Sequence, residues 1–434
     1  MKAVAFAFIV TVLGATAGAQ SPASVTLADL QRAAIARDAR AAQRDLLREA
    51  ADLRIRSIRN TLLPRFTVSA SNSHASDVTH LNLALPGGAP VPIPPRDRWS
   101  GAVDVAQVVY DGGAASRAEA VEAARLSENV AGVDAALEPL RAEVTGAFFA
   151  TALMRATESE LSAAVSDLET VLAETRARVR EGAALGRDSA SVRAEWRGAQ
   201  ARLAQARSSR RAAMANLERL TGVALPESTS LTLPDWGARL AALDSAGGAA
   251  NLRERPEFTQ VARTRARLDT ERGLAAVENR PRVLAFLDGG YGRPGLNQFE
   301  SDPARFWQAG IKVEWAPFTW GSSQRNEELA ALQQKVLLTE ERALADRLAR
   351  AVQGDIENRA RLAAQLRDDD EVIALRADAL AQGEAQRREG VITAAEAVGL
   401  RSALTDARLA RERHRIELAQ AEANIATTLG LTPR

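Results

Sequence analysis

Cysteine is absent from the 434-residue sequence. That excludes disulfides, thiolate metal ligands and the lipid anchor that a bacterial lipoprotein carries on its first mature residue. Histidine is nearly absent: His74, His80 and His414 cannot assemble a catalytic or zinc site from that spacing. No nucleophile lies near a base, so the chain reads as a non-enzyme for which no cofactor is expected. Long apolar runs are also missing. The run from Ala3 to Leu13 falls short of the roughly 20 residues that a membrane-spanning helix needs. It follows Met1-Lys2 and leads to Ala17-Gly18-Ala19, so residues 1–19 read as a secretory signal peptide. A mature chain that crosses a membrane must then do so with strands. Charge of one sign is lacking too. Removing Lys2 with the leader leaves 55 basic and 55 acidic residues, and nothing favours nucleic acid as a partner.

What is present is an internal repeat. At an offset of 208, Trp99 maps to Trp307, Val105 to Val313, Gly113 to Gly321 and Arg117 to Arg325. Arg180-Glu181-Gly182 returns as Arg388-Glu389-Gly390, and Gly222 as Gly430. Upstream the offset becomes 217, aligning Leu63-Pro64-Arg65 with Arg280-Pro281-Arg282. The first copy therefore carries nine extra residues before Trp99, in a stretch with Leu85-Pro86-Gly87-Gly88 and Pro90 to Pro95 that reads as a loop. The division is 1–19 leader, 20–222 first repeat with a β-hairpin at about 65–110, 223–251 linker, and 252–434 second repeat with a β-hairpin at about 282–318.

Period-two alternation marks the strands. Trp307, Ala309, Ile311, Val313 and Trp315 alternate with Gln308, Gly310, Lys312 and Glu314; Trp99, Gly101, Val103 and Val105 alternate with Ser100, Ala102, Asp104 and Ala106. Phe66, Val68 and Ala70 alternate more weakly, and Arg282 to Tyr291 does not sort cleanly into two faces. From Ala114 to Arg180 and from Ser322 to Arg388 the chain has few helix breakers. At 1.5 Å per residue each run extends about 100 Å. The helices that follow carry heptad stripes: Val192, Trp196, Ala199, Leu203, Ala206, Ala213, Leu217 and Leu220, then Leu400, Leu404, Ala407, Leu418, Ala421 and Ile425, interrupted at Arg210, Arg411 and His414. The fold class expected is mainly α with a small transmembrane β-sheet. Four strands cannot close a barrel, and lipid tolerates no open sheet edge. Closure requires several chains, and three would supply twelve strands with a conducting lumen.

These residues resemble the TolC-like outer-membrane efflux proteins over nearly the whole mature chain. The resemblance rests on Leu62-Leu63-Pro64-Arg65, Val109-Tyr110-Asp111-Gly112-Gly113, Arg255-Pro256-Glu257, the Glu-Gly turns at Gly182 and Gly390, Leu220-Thr221-Gly222 and Leu429-Gly430-Leu431. It implies a homotrimer with a 12-stranded barrel in the outer membrane of a Gram-negative bacterium and a long periplasmic α-barrel. It implies further a passive duct of a tripartite efflux pump or type I secretion system, docked to a periplasmic adaptor and an inner-membrane RND or ABC transporter. Gly182 and Gly390 would then be the adaptor-contact turns, and Gly112, Gly113 and Gly321 the strand-to-helix turns. The pore entrance falls to Asp188 and Glu396, with Arg180, Arg387 and Arg388 as latch residues. Ser191 and Gly399 occupy the second acidic position of the family, so a double acidic ring is not expected. For Glu396 two roles stay open, a negative collar or a carboxylate at a helix start. The rival classes are a periplasmic coiled-coil adaptor and a coiled-coil scaffold.

Two further patterns are expected to be inert. Gly290-Tyr291-Gly292-Arg293-Pro294-Gly295 imitates a dinucleotide-binding motif but lacks the helix that should follow, and reads as a hairpin loop. Asp368-Asp369-Asp370-Glu371 points in several directions around a helix and reads as a solvated face.

Overall fold

The computed structural model describes residues 24–79, 93–237, 240, 252–318 and 320–431. The stretch read as a signal peptide, most of the proline-rich stretch with His80, and residues 241–251 of the stretch read as linker lie outside the described residues. In chain order the elements are β1 (Ser24–Thr26), α1 (Leu27–Arg37), a 3-10 turn (Ala39–Ala42), α2 (Gln43–Asn60), β2 (Arg65–His74) and β3 (Asp97–Tyr110). There follow α3 (Ala114–Arg180), α4 (Gly186–Thr221), β4 (Ser230–Thr232), α5 (Pro256–Ala275), β5 (Arg282–Arg293), β6 (Ala304–Glu314), α6 (Ser322–Arg388) and α7 (Ala394–Thr428). The two longest helices begin and end where the breaker-free runs do. The chain divides into two compact units, residues 39–137 with 253–347, and residues 1–38 with 138–252 and 348–434.

The first unit holds a four-stranded antiparallel sheet in the order β2-β3-β5-β6. The register aligns one face across it: Val68 opposite Val103, Val103 opposite Gly289, Gly289 opposite Trp307, with Phe66, Val105, Leu287 and Ala309 in the next row. This apolar face is uncovered, Val68, Trp307, Ile311 and Val313 standing largely in the open, whereas a sheet that packs on a core would bury it. The opposite face carries Thr67, Ser69, Asp104, Asp288 and Gln308, and Ser69 donates to Asp104 at 3.3 Å. β5 resisted sorting because Leu284 and Phe286 fall on that polar face. Phe286 lies over Gly310 and Phe306 over Gly290, where a Cβ would come within 2.7 Å and 2.6 Å of the ring. The reading of Gly290 to Gly295 as a hairpin loop is corrected here. Gly290 and Gly292 are strand residues, glycine because the rings and the backbone of β3 press against them, and β5 runs to Arg293. Aromatic residues stand at both ends of the apolar face. Trp99 meets Tyr291 edge to face at 5.5 Å, and Trp315, just past β6, donates to the Asn279 carbonyl at 3.1 Å.

The helices of this unit follow the sheet order. Arg59 of α2 pairs with Glu119 of α3 at 2.7 Å, and Arg44 with Asp134. Glu128 of α3 accepts from Thr264 of α5 at 2.9 Å and pairs with Arg267. Arg265 of α5 pairs with Glu341 of α6 at 2.7 Å.

In the other unit the later parts of α3 and α6 pack with α1, α4 and α7, and β1 pairs in parallel with β4. Strand β4 falls inside the stretch read as linker. Val192, Ala199, Leu203, Ala206 and Leu217 of the α4 stripe are buried as expected. Beyond Arg210 the stripe needs correction: Met214 and Thr221 are buried, whereas Ala213 and Leu220 are only partly so. A straight helix turns every 3.6 residues, so one extra step of four brings the buried line back after Arg210. The acidic run on α6 is exposed at Asp368, Asp370 and Glu371, as a solvated face should be, and half-buried at Asp369. Asp369 pairs with His414 at 2.6 Å and Asp370 with Arg411 at 2.5 Å, so the two side chains that interrupt the α7 stripe are held by carboxylates of the neighbouring helix.

Candidate functional site

The two helix–helix turns are built alike. The glycine at each helix end takes a positive φ, +74° at Gly182 and +77° at Gly390, a conformation that costs glycine no steric strain. The N–H of the next residue bonds back to the third-last helical carbonyl, Ala183 to Arg178 and Val391 to Gln386, both at 2.8 Å, the pattern of a Schellman end. Three residues after each glycine the next helix is capped, by Leu185 and by Thr393. The two caps differ. Thr393 accepts from the Glu396 N–H at 3.2 Å, while its own N–H and hydroxyl donate to the Glu396 carboxylate at 2.7 and 3.0 Å. Leu185 has no side-chain oxygen, so only its N–H donates to Asp188, at 3.2 Å. The Thr393 backbone bond, and then its hydroxyl, hold the Glu396 carboxyl below the usual carboxylate range. Of its two open roles, the helix-start role is therefore present in the single chain.

Between the turns lies a cleft of about 230 Å³, walled by Thr175, Arg178, Asp188, Arg387 and Thr393 among others. Arg387 reaches across it. Its guanidinium pairs with Glu174 at 3.3 Å, and its carbonyl accepts from Arg178 at 3.4 Å. Glu174 and Arg178 were not singled out from the sequence. Their repeat equivalents are Gln382 and Gln386, so a search for matching pairs passes over them. Of the other latch candidates, Arg388 donates to the Glu384 carbonyl of its own helix, and Arg180 is exposed. Beneath the turns, Leu168, Val171 and Leu172 of α3 pack with Val192 and Ala199 of α4 and with Ala394 and Val398 of α7. Gly383 lets α7 approach closely, since a Cβ there would run into the Leu400 methyl. The turns are thus open at the surface and anchored below. The Arg387–Glu174 pair is partly exposed, and such pairs contribute about 0.2–1 kcal/mol. It can bias a packing of the helix ends without locking it.

The strand-to-helix turns also differ between the copies. Gly112 and Gly113 have φ of +72° and +86°. A Cβ at Gly112 would sit 2.6 Å from that of Arg280, whose guanidinium donates to the Gly112 carbonyl at 3.2 Å. Asp111 caps α3 by accepting from Gly113 and Ala115 at 2.8 and 2.6 Å. Burial pushes its carboxyl up, but these bonds prevail and leave it below the usual range. In the second copy Gly321 keeps φ +77°, while the place of Gly112 is taken by Trp320 at φ +51° with its ring almost wholly exposed. A bulky residue in that region is strained, and the sequence pattern gave no sign of it.

No protein-family model and no curated protein sequence matches the chain. Its likeness to known proteins is in three dimensions. A crystal structure of CusC, described for its folding and transmembrane channel formation, has a TM-score of 0.69 at 15% identity, covering 97% of this chain and 96% of that one. The outer-membrane protein VceC of Vibrio cholerae gives 0.65 at 14% identity, over 93% of this chain and 96% of that one. The open-state MtrE outer-membrane channel of Neisseria gonorrhoeae gives 0.65 at 20%, over 94% and 89%. The chain has the fold of these proteins, long helices combined with a small β-sheet, nearly from end to end.

Proposed function

We propose that the chain is the subunit of an outer-membrane channel that conducts cargo from periplasm to exterior without chemistry of its own. One observation carries the reading: a four-stranded sheet with an exposed apolar face, a polar reverse and two outer strands, β2 and β6, that pair on one side only among the described residues. Water penalises that apolar face and lipid favours it, but lipid also forbids the open edges. Three copies joined edge to edge meet both demands, giving twelve strands around a lumen lined by the polar face. The likeness to outer-membrane channels over almost the whole chain supports the same assembly. An adaptor or scaffold would have no use for an apolar sheet face turned outward.

In this reading the helices extend the duct into the periplasm, and the turns at Gly182 and Gly390 meet a periplasmic adaptor that joins the channel to an RND or ABC transporter. Glu396, three times around the axis, forms a negative collar near the entrance, and Arg387 with Glu174 biases the helix ends toward closure. The first test is the assembly itself. A heat-modifiable trimer extracted from outer membranes by detergent, conducting in planar bilayers, is expected; a monomer that stays in buffer overturns the proposal. In the same bilayers Glu396→Ala should weaken block by divalent cations, and unchanged block removes it from the entrance. Cysteines beside Gly182 and Gly390 should crosslink to the adaptor in cells, and failure at both turns removes the docking role.

A further inference from the structure

The apolar face of the sheet differs between its two ends. Where the strands join α2, α3, α5 and α6, it finishes in Val283, Val313 and, just past the strand, Trp315. The charged residues at that end, Arg65, Arg282, Lys312 and Glu314, fall on the polar face. At the loop end the apolar face carries two arginines. Arg305 lies opposite Tyr291, and Arg293, two residues further along β5, lies opposite Trp99. Alternation along each strand puts both on the face of Leu287 and Trp307. As diagonal neighbours on adjacent strands they stand about 7–8 Å apart, beside the Trp99–Tyr291 ring pair. Among the described residues, no other arginine or lysine occupies this face of the four strands. Arg305 is exposed and makes no hydrogen bond or ion pair among the described residues. Arg293 is half-buried and donates through Nε to the Ser301 carbonyl at 2.6 Å, which leaves its terminal nitrogens uncommitted. The carboxylate of the same rim, Asp97, is taken by His74 at 2.6 Å. Glu300 and Asp302 belong to the β5–β6 loop, beyond the strand end.

We infer that Arg293 and Arg305 together hold a phosphate of a lipid headgroup in the leaflet on the loop side of the membrane. This rests on the channel reading above, in which the helices lie in the periplasm and the loop end therefore faces the exterior. Arginine on a lipid-facing strand is costly at mid-depth and nearly free of cost at the interface. Arg305 lies two residues, about 7 Å, beyond Trp307, past the apolar band and at the depth of the headgroups. The partner is a lipid because both guanidiniums stand on the face turned away from the lumen. It is a phosphate carrier because adjacent guanidinium forks match phosphate oxygens, each able to donate two parallel bonds. The leaflet follows from the one-ended distribution: at the periplasmic end the same face offers no cation, whereas the outer leaflet of an outer membrane is built of phosphorylated glycolipid. In the first copy the offset of 208 puts Asp97 in the place of Arg305, so the arginine pair occurs once per chain.

The test uses the full chain, extracted from outer membranes in mild detergent and titrated with diphosphoryl lipid A, bound lipid being counted by native mass spectrometry. Arg293→Gln combined with Arg305→Gln should weaken binding about 30-fold, from the contribution of each basic residue near an anionic headgroup. Arg305→Gln alone should weaken it about 5-fold, and it removes no bond within the described chain if the double variant fails to assemble. Arg65→Gln, on the polar face at the other end, should leave binding unchanged. The same glycolipid stripped of its phosphates should bind the wild type and the double variant alike. Unchanged affinity in the Arg293 and Arg305 variants, or an equal loss with Arg65→Gln, overturns the headgroup site and leaves the channel reading standing. Displacement of the lipid by equimolar inorganic phosphate overturns it in favour of a site for free anions. A chain that never enters the membrane overturns both.

Discussion

Arginine in place of Ile311 separates a lipid-facing sheet from a water-facing one. Ile311 is 73% exposed on the apolar face, four residues from Trp307 on one side and four from Trp315 on the other. At about 3.3 Å per residue the two indoles stand about 26 Å apart along the strand, close to the height of an apolar band spanning a bilayer, about 25 Å. Ile311 thus sits near the middle of that band. If the face meets water, arginine at so open a position changes stability by no more than about 0.5 kcal/mol. If it meets lipid, arginine at the midplane costs about 2–4 kcal/mol per subunit, about 30- to 800-fold in the folding equilibrium. Gln308→Arg is the matched control, because Gln308 lies on the polar face of the same strand. The assay is folding into lipid vesicles across a urea series, followed by heat-modifiability on gels. Equal and small effects of the two substitutions would refute the lipid-facing sheet, and with it the channel.

Three other outcomes follow from the turns and the core. Gly112→Ala should destabilise more than Gly182→Ala: both sites have positive φ, but only at Gly112 does the new Cβ collide with Arg280. Strain alone costs about 1–2 kcal/mol, and a thermal shift no larger at Gly112 would show that the collision relaxes freely. Leu217→Ala, at a wholly buried site of α4, should cost about 2–5 kcal/mol in urea unfolding, and a loss below 1 kcal/mol would mean that its neighbours collapse into the space. Thr393→Ala should cost about 1 kcal/mol by removing the α7 cap. The lowered Glu396 pKa means that its contribution to stability is in full force above the usual glutamate range and is lost as pH falls through the folded value. Glu396→Gln should therefore flatten the loss of thermal stability between neutral and acid pH, and an unchanged profile would show that the cap does not persist in solution.

Much of the architecture was legible because it depends on local periodicity. The long helices ended where the breakers did, and β6 sorted into faces because Trp307, Ala309, Ile311 and Val313 alternate strictly with polar residues. β5 did not, because Leu284 and Phe286 fall on the polar face, Phe286 lying over Gly310 of the neighbouring strand, which no single-strand pattern reveals. The α4 stripe was followed correctly to Arg210 and beyond it runs one residue early at Ala213 and Leu220, where Met214 and Thr221 are the buried positions, since a strict heptad cannot track a straight helix for long. At the turns, Gly182 and Gly390 were readable from the repeat, whereas the Arg387–Glu174 pair was not, having no counterpart in the first copy.

By itself the order of residues determined the duplication, the elements in each copy, the faces of the clean strands and the glycines of the turns, all set by interactions a few residues apart. Only tertiary structure decided which strands are neighbours, that their faces line up into one apolar and one polar side of the sheet, and that Asp369 and Asp370 hold His414 and Arg411. Those depend on which distant segments meet, and two repeats of nearly one pattern meet different neighbours simply because one lies inside the chain and the other at its edge.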